Sequence, residues 1–155
     1  MANEADLLDG LMAHYRAMPP VAALQLAIAG SDARSLCLQA PLAANLNDKG
    51  CAFGGSLVSL MTLAGWGIVT LSLWRAGQTA DVYVADSRVR YLAPLYGDLH
   101  AEAEAASGES LEACVAALRE RGRGRGRIGI TARVRLPDGG DACTMTARYV
   151  AIAPR

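Results

Sequence analysis

From Gly50 to Trp74 the chain runs for 25 residues without a charge, through CAFGGSLVSLMTLAGWGIVTLSLW. A bilayer needs roughly 20 apolar residues, so the run is long enough to cross one. The flanks argue otherwise. Lys49 and Arg75 put one positive charge at each end, and no basic bias sets an orientation. The rest of the chain is built of segments with one apolar face each, and such segments need an apolar partner to cover. A helix wrapped by them must itself be apolar nearly all round. Gly65 and Gly67 lie inside the run. Each costs a helix roughly 1 kcal/mol in propensity, a cost that makes sense where another element approaches closely. The run therefore predicts a long buried helix and no membrane span.

The segments that would surround it can be read in order. Leu7, Leu8, Leu11, Met12 and Tyr15 recur at helical spacing, which predicts a short amphipathic helix over 4–17, stopped by Pro19 and Pro20. Two alternating runs follow, Leu24, Leu26, Ile28 and then Leu36, Leu38, separated by AGSDAR, the pattern of a hairpin. In ADVYVADSRVRYLAP the apolar positions are even at first (Val82, Val84) and odd later (Val89, Tyr91). That change of phase predicts a bulge near Asp86 and Ser87.

GDLHAEAEA alternates Leu99, Ala101, Ala103 and Ala105 with His100, Glu102 and Glu104. RIGITARVRL sets Ile128, Ile130, Ala132, Val134 and Leu136 against Arg127, Arg133 and Arg135. If these two are neighbouring strands, their outer faces match Glu with Arg. PDGGD turns the chain into a last strand over 142–152. Leu111, Cys114, Val115 and Leu118 mark a small helix ended by RGRGRGR, read as a solvated helix exit, with phosphate binding as the alternative. One long apolar helix against so many amphipathic strands predicts an α+β fold, a single antiparallel sheet of about five or six strands curled around the helix.

With 155 residues the chain has room for one domain, 1–155. Lys plus Arg and Asp plus Glu number 15 each, so no global field favours nucleic acid or an anionic membrane surface. Cys37, Cys51, Cys114 and Cys143 form no C-x-x-C pair and have no nearby histidine, which predicts free thiols, no metal site and a reducing compartment. The acidic N-terminus lacks the pattern of a secretory signal, and a cytoplasmic location is expected.

An Asn, a Gly and a Gly-Gly pair at the start of a helix inside such a sheet resemble the hotdog-fold thioesterases. The resemblance is nearest to the thioesterase domain of the YiiD C-terminal type, which also occurs fused to GNAT acetyltransferases. It is carried by NDKGCAFGGSL, LAGWG and DSRVRYLAP. In relatives of the PaaI and acyl-CoA thioesterase type the helix opens with His-Gly-Gly. An Asn precedes the His by six residues, and a catalytic Asp or Glu follows it by nine. By position the Asn is Asn47 and the glycines are Gly54 and Gly55. Phe53 stands in place of the His, and Thr62 in place of the carboxylate. The resemblance implies a homodimer or tetramer with sites across the interface, an acyl-CoA or acyl-carrier-protein thioester as substrate, and no cofactor.

Hydrolysis of a thioester needs a polarised carbonyl and an activated water. A helix N-terminus supplies unpaired N–H groups and a dipole for a developing oxyanion. Gly55 and Ser56 are the expected donors, with Asn47 orienting carbonyl or water. The uncharged helix has no base to offer, so the carboxylate is expected from Asp86 first and Asp48 second. Asp86 is expected in a partly apolar cleft that raises its pKa, and Thr62 and Ser87 as water ligands. Phe53, Gly54 and Gly50 would border the substrate, with the acyl chain against Leu57, Leu60 and Met61. Lys49, Arg88, Arg90 and the Arg121 to Arg127 cluster are the cations available to a phosphate. The missing carboxylate at Thr62 leaves open a module that binds acyl thioesters without cleaving them. Dehydration would need a histidine at the site, and neither His14 nor His100 is placed for it.

Overall fold

In the structure, a computed structural model that describes residues 2–120 and 124–154, the uncharged run becomes one helix, α3, Gly54–Arg75. Arg121 and Arg123 of the basic cluster lie outside the described residues, and Arg125 and Arg127 open a strand. The chain begins with α1 (Glu4–Ala17), whose capping box pairs Asn3 with Asp6. Pro19 and Pro20 end α1 and also start a second helix, α2 (Pro19–Ala22), which the pattern did not foresee. Proline has no N–H to lose at the first helical positions, so it suits both roles.

The sheet comprises β1 (Ala27–Ser31), β2 (Ser35–Ala40), β3 (Asp81–Tyr91), β4 (Leu99–Ala105), β5 (Arg125–Arg135) and β6 (Asp141–Ile152). Its spatial order is β1-β2-β4-β5-β6-β3, antiparallel throughout. A small helix, α4 (Leu111–Arg119), joins β4 to β5. The expected hairpin is present but starts later, because Gln25 at φ 57° turns the chain and leaves Leu24 and Leu26 as buried residues ahead of β1. The expected pairing of β4 with β5 sets Glu102 opposite Arg133 and Glu104 opposite Thr131. The bulge in β3 falls between Val84 and Asp86, so Ala85 is the extra residue.

The inner face of the sheet is lined by Leu36, Leu38, Ala101, Ile130, Met145 and Tyr149, among others, all buried against α3. Leu60, Met61, Ile68 and Leu71 are fully buried from the helix side, each worth about 1.5–3 kcal/mol in transfer from water. Of the most apolar 18-residue stretch of α3, 72% is buried inside this chain, as a core helix requires.

Two tyrosines fix the middle of that helix. Tyr15 donates its hydroxyl to the Leu63 carbonyl at 2.7 Å, and Tyr149 donates to the Thr62 carbonyl at 2.7 Å. The glycines of LAGWG make the room. A Cβ on Gly65 would run into the Tyr149 ring, and one on Gly67 into the Tyr15 hydroxyl and Leu36. Between them Trp66 points to the edge and donates its indole N–H to the Val82 carbonyl at 3.0 Å, tying β3 to the helix.

α3 is not covered all round. Gly55 and Ser59 are exposed and Val58 and Thr62 are half-buried, forming an open stripe on its first half. The four cysteines are free, Cys51, Cys114 and Cys143 buried and Cys37 half-buried. Burial pushes the Cys114 and Cys143 thiols up to about 11.

Gly67→Ala tests the close approach directly. Alanine improves helix propensity by about 1 kcal/mol, but overpacking costs about 1–3 kcal/mol, and the Tyr15 hydroxyl bond is strained as well. A net loss of about 1–2 kcal/mol is expected from urea unfolding, whereas Gly77→Ala, at φ 69° with open space around it, will lose only the cost of the left-handed backbone, about 1 kcal/mol.

Candidate active site at the start of the central helix

The helix mouth is assembled by one short loop. Leu46 and Ala52 form an isolated bridge, Ala52 N–H donates to the Leu95 carbonyl at 2.8 Å, and Phe53 N–H donates to the Asn45 carbonyl at 2.8 Å. Asn47 closes the loop. Its Oδ1 accepts from the N–H of Lys49 at 2.8 Å and of Cys51 at 3.1 Å, and its Nδ2 lies 3.1 Å from the Cys51 sulfur. The carboxamide expected to orient a substrate carbonyl therefore shapes the backbone ahead of the helix, the usual Asx-turn role.

Asn45, which the sequence pattern did not single out, is the buried anchor of this region at 2% exposure. Its Nδ2 donates to the Leu24 carbonyl at 3.0 Å and the Pro41 carbonyl at 2.8 Å. The residue thus joins the turn before β1, the segment after β2 and the start of α3. Its signal was only an asparagine within an apolar stretch, too weak to separate from a surface residue.

Phe53 occupies the N-cap position, with φ −64° and ψ 129°, and has no side-chain acceptor to give the helix. Ser56 and Leu57 both donate their N–H to the Phe53 carbonyl, at 3.0 and 3.1 Å. The first turn is tightened in this way, and Ser56, expected as an oxyanion donor, has its N–H already engaged. The N–H groups of Gly54 and Gly55 remain without an acceptor among the described residues. Rings flank both. The Phe53 ring stands where a Gly55 side chain would be, and the Tyr91 ring lies 3.1 Å from the Cβ position of Gly54. Phe53, Tyr91, Leu92, Tyr96 and Leu46 are all about half exposed or more, a cluster of apolar groups around the mouth.

The remaining candidates separate by face. Residues opposite one another on paired strands share a side of the sheet, and Val82, Val84, Ser87, Val89 and Tyr91 of β3 stand opposite the inward residues Ala151, Tyr149, Ala147, Met145 and Cys143. Ser87 is thus on the helix side. Asp86, Arg88 and Arg90 stand opposite Arg148, Thr146 and Thr144 on the outer face.

Asp86 is exposed and ion-paired with Arg148, whose Nε lies 3.0 Å from its Oδ2 and whose Nη2 also contacts that oxygen. The hydrogen bond from Arg148 holds its carboxyl below the usual carboxylate range. The apolar cleft and raised pKa expected for Asp86 are not found in the chain, because the bulge at Ala85 turns it away from α3. Asp48 is exposed in the loop before the helix, its Oδ1 2.8 Å from Lys49 Nζ. Gly50 sits between them and Cys51 with φ 80°.

Thr62 is half-buried, its hydroxyl 3.7 Å from the Met145 sulfur. Leu57, Leu60 and Met61, expected beside an acyl chain, are packed into the core. The open stripe of Gly55, Val58, Ser59 and Thr62 faces outward next to the inner side of β3 instead. Among the described residues no group of three His, Cys, Asp or Glu is arranged to hold a metal.

Residues 11–153 match the family described as "Putative thioesterase (yiiD_Cterm)". The chain belongs to this YiiD_C family. Its fold is that of hotdog-type thioesterases. A protein of unknown function from Chlorobaculum tepidum is 26% identical over 97% of this chain and 96% of its own, with a TM-score of 0.87. A structure described as a "putative thioesterase" from Shewanella oneidensis is 27% identical over 96% of this chain and 99% of its own, with a TM-score of 0.83. A thioesterase from Haemophilus influenzae, 16% identical over 99% of this chain and 92% of its own with a TM-score of 0.69, shares the fold.

The electrostatics of the Asp86 and Arg148 pair can be measured. In Arg148→Ala the Asp86 carboxyl, followed by carbon-detected NMR titration, is expected to move up toward the free value of about 3.9, while the native protein titrates lower.

Proposed function

We propose that this YiiD_C domain hydrolyses acyl thioesters at the mouth of α3. The observation that carries the reading is the pair of unengaged N–H groups on Gly54 and Gly55, at the dipole-positive start of a 22-residue helix with no side-chain cap. They would receive the thioester oxygen and stabilise the negative charge that develops when water adds to the carbonyl. No residue of the chain needs to form a covalent intermediate. Water attacks the carbonyl carbon, the carbon–sulfur bond breaks, and the proton taken from water passes to the thiolate.

Asp48 is the carboxylate beside this mouth and is proposed as the base. Asp86, ion-paired on the other face of the sheet, is proposed to act outside the chemistry. A carboxylate base contributes typically 10²–10⁴-fold.

β3 is an exposed edge of 11 residues carrying Tyr83 and Val84 at 57% and 43% exposure. Long exposed edges are templates for pairing. This supports a homodimer joined along β3, in which the open stripe of α3 and the inner face of β3 are covered by a second copy and the acyl chain lies between them.

One observation favours a second reading. Thr62 and Phe53 leave no titratable group at the two positions where a proton carrier would stand, as in a module that binds acyl thioesters without cleaving them.

Thiol release from a panel of short, medium and aromatic acyl-CoAs separates the two. Hydrolysis is expected, with Asp48→Asn lowering kcat at least about 100-fold and Asp86→Asn changing it less than about threefold. Calorimetric binding of acyl-CoA with no thiol release from any of the panel would favour the binding module. Sedimentation velocity is expected to give a dimer that Val84→Asp weakens.

A further inference from the structure

The open stripe of α3 has an end as well as a mouth. Gly55, Ser59, Thr62 and Trp66 follow one another at helical spacing along it, and none of them is buried. One turn beyond Trp66 the same face closes, with Val69 and Thr70 at 1% and 4% exposure. β3 runs back along the stripe and meets this side of the core at three points. The Tyr91 ring lies against Gly54 at the mouth. Half-way along, Met145, which stands opposite Val89, brings its sulfur 3.7 Å from the Thr62 hydroxyl. At the far end the Val82 carbonyl accepts from the Trp66 indole N–H at 3.0 Å. Between these points Val84 and Val89 are turned to the helix side, opposite Tyr149 and Met145. Neither wall brings a charge into the space, because α3 has none before Arg75 and Asp81, Asp86, Arg88 and Arg90 of β3 stand on the outer face. Trp66 is also held from behind. The rings of Tyr15 and His14 on α1 lie 5.7 and 6.2 Å from it, centroid to centroid.

We propose that Trp66 is the end wall of the acyl groove and sets the chain length the protein accepts, which limits it to short and medium straight-chain acyl groups. The inference rests on the hydrolase reading for one point only, the placing of the thioester carbonyl at the N–H groups of Gly54 and Gly55. The rest is length. Gly55 and Trp66 are eleven residues apart in α3, about 16 Å along the axis. A helical side chain leans over the turn before it, which takes about 5 Å from that length and leaves about 11 Å open. An extended alkyl chain, a zigzag of carbon–carbon bonds of about 1.5 Å, fits roughly eight carbons into this space. A longer chain would meet an indole tied at one edge and backed by two rings, and past it the buried face of Val69 and Thr70. Its end would have to leave the groove for water. A second copy lying over the stripe would roof the groove without moving this wall, since every group that holds Trp66 belongs to the same chain.

The test does not require hydrolysis. S-alkyl coenzyme A thioethers, which have no carbonyl to attack, are titrated into the full chain by calorimetry from butyl to hexadecyl, and the matching acyl-CoA thioesters are assayed for thiol release. Affinity is expected to rise about two- to fourfold with each methylene up to about eight carbons and then to stop rising. Trp66→Ala is expected to move that limit outward by roughly four carbons, the length the indole occupies. Ser59→Phe, a change at an exposed position nearer the mouth, is expected to weaken octyl binding at least about tenfold while butyl binding changes little. It keeps the test open if Trp66→Ala does not fold, which circular dichroism checks. Affinity that climbs steadily to hexadecyl in the native protein overturns the proposal, as does a limit that neither variant moves, or no binding of any thioether. A limit that moves with these variants, without thiol release from any thioester, would overturn the hydrolase reading and leave Trp66 as the end of the groove. Thiol release at equal rates from all lengths would do the reverse.

Discussion

The constraint that holds the central helix in place is the grip of two tyrosines on α3. Tyr15 and Tyr149 reach consecutive carbonyls of the helix, at Leu63 and Thr62, from opposite directions in the sequence. They can do so only because Gly65 and Gly67 leave their side-chain space empty. Burial pushes the pKa of both phenols up, so they remain neutral donors well beyond ordinary pH. With the helix held there, α1 is fixed on one side and β6 on the other, and Trp66 between the glycines ties in β3 through Val82.

That grip decides which part of α3 is open. The buried face of Leu57, Leu60 and Met61 lies against the sheet, and the stripe of Gly55, Val58, Ser59 and Thr62 is turned toward the β3 edge. The mouth is organised by the same logic of crowding. Phe53 and Tyr91 fill the space over Gly55 and Gly54, so the glycines serve ring packing as well as access to the helix N–H groups. A side chain at either position would displace a ring before it blocked a substrate.

Much of the fold was legible because burial on one face leaves a period in the sequence. The α1 pattern, the alternation of β4 and β5, and the change of phase in β3 each report which side meets α3. The Asn47 to Ser56 segment was legible as a loop feeding a helix start. The roles within it were not. Asn47 proved to bond its own loop and Ser56 to donate within the first turn, choices made by backbone geometry that residue identity does not record. Asn45, buried and linking three segments, gave no pattern at all.

The sequence by itself determined that a long uncharged helix must be enclosed by one amphipathic antiparallel sheet, since no other arrangement covers both apolar surfaces. It also determined where that helix starts, and that neither a histidine nor a carboxylate follows in the usual places. Only the tertiary structure decided which residue carries the change of phase in β3, and with it the face on which Asp86 stands. One extra residue at Ala85 shifts the phase of β3, sends Asp86, Arg88 and Arg90 to the outer side and leaves Ser87 facing the helix. Side-chain direction in a strand reverses with every residue, so that single bulge separates Asp86, Arg88 and Arg90 from the helix side of the sheet and leaves Asp48 and Lys49 as the charged candidates in the loop before α3.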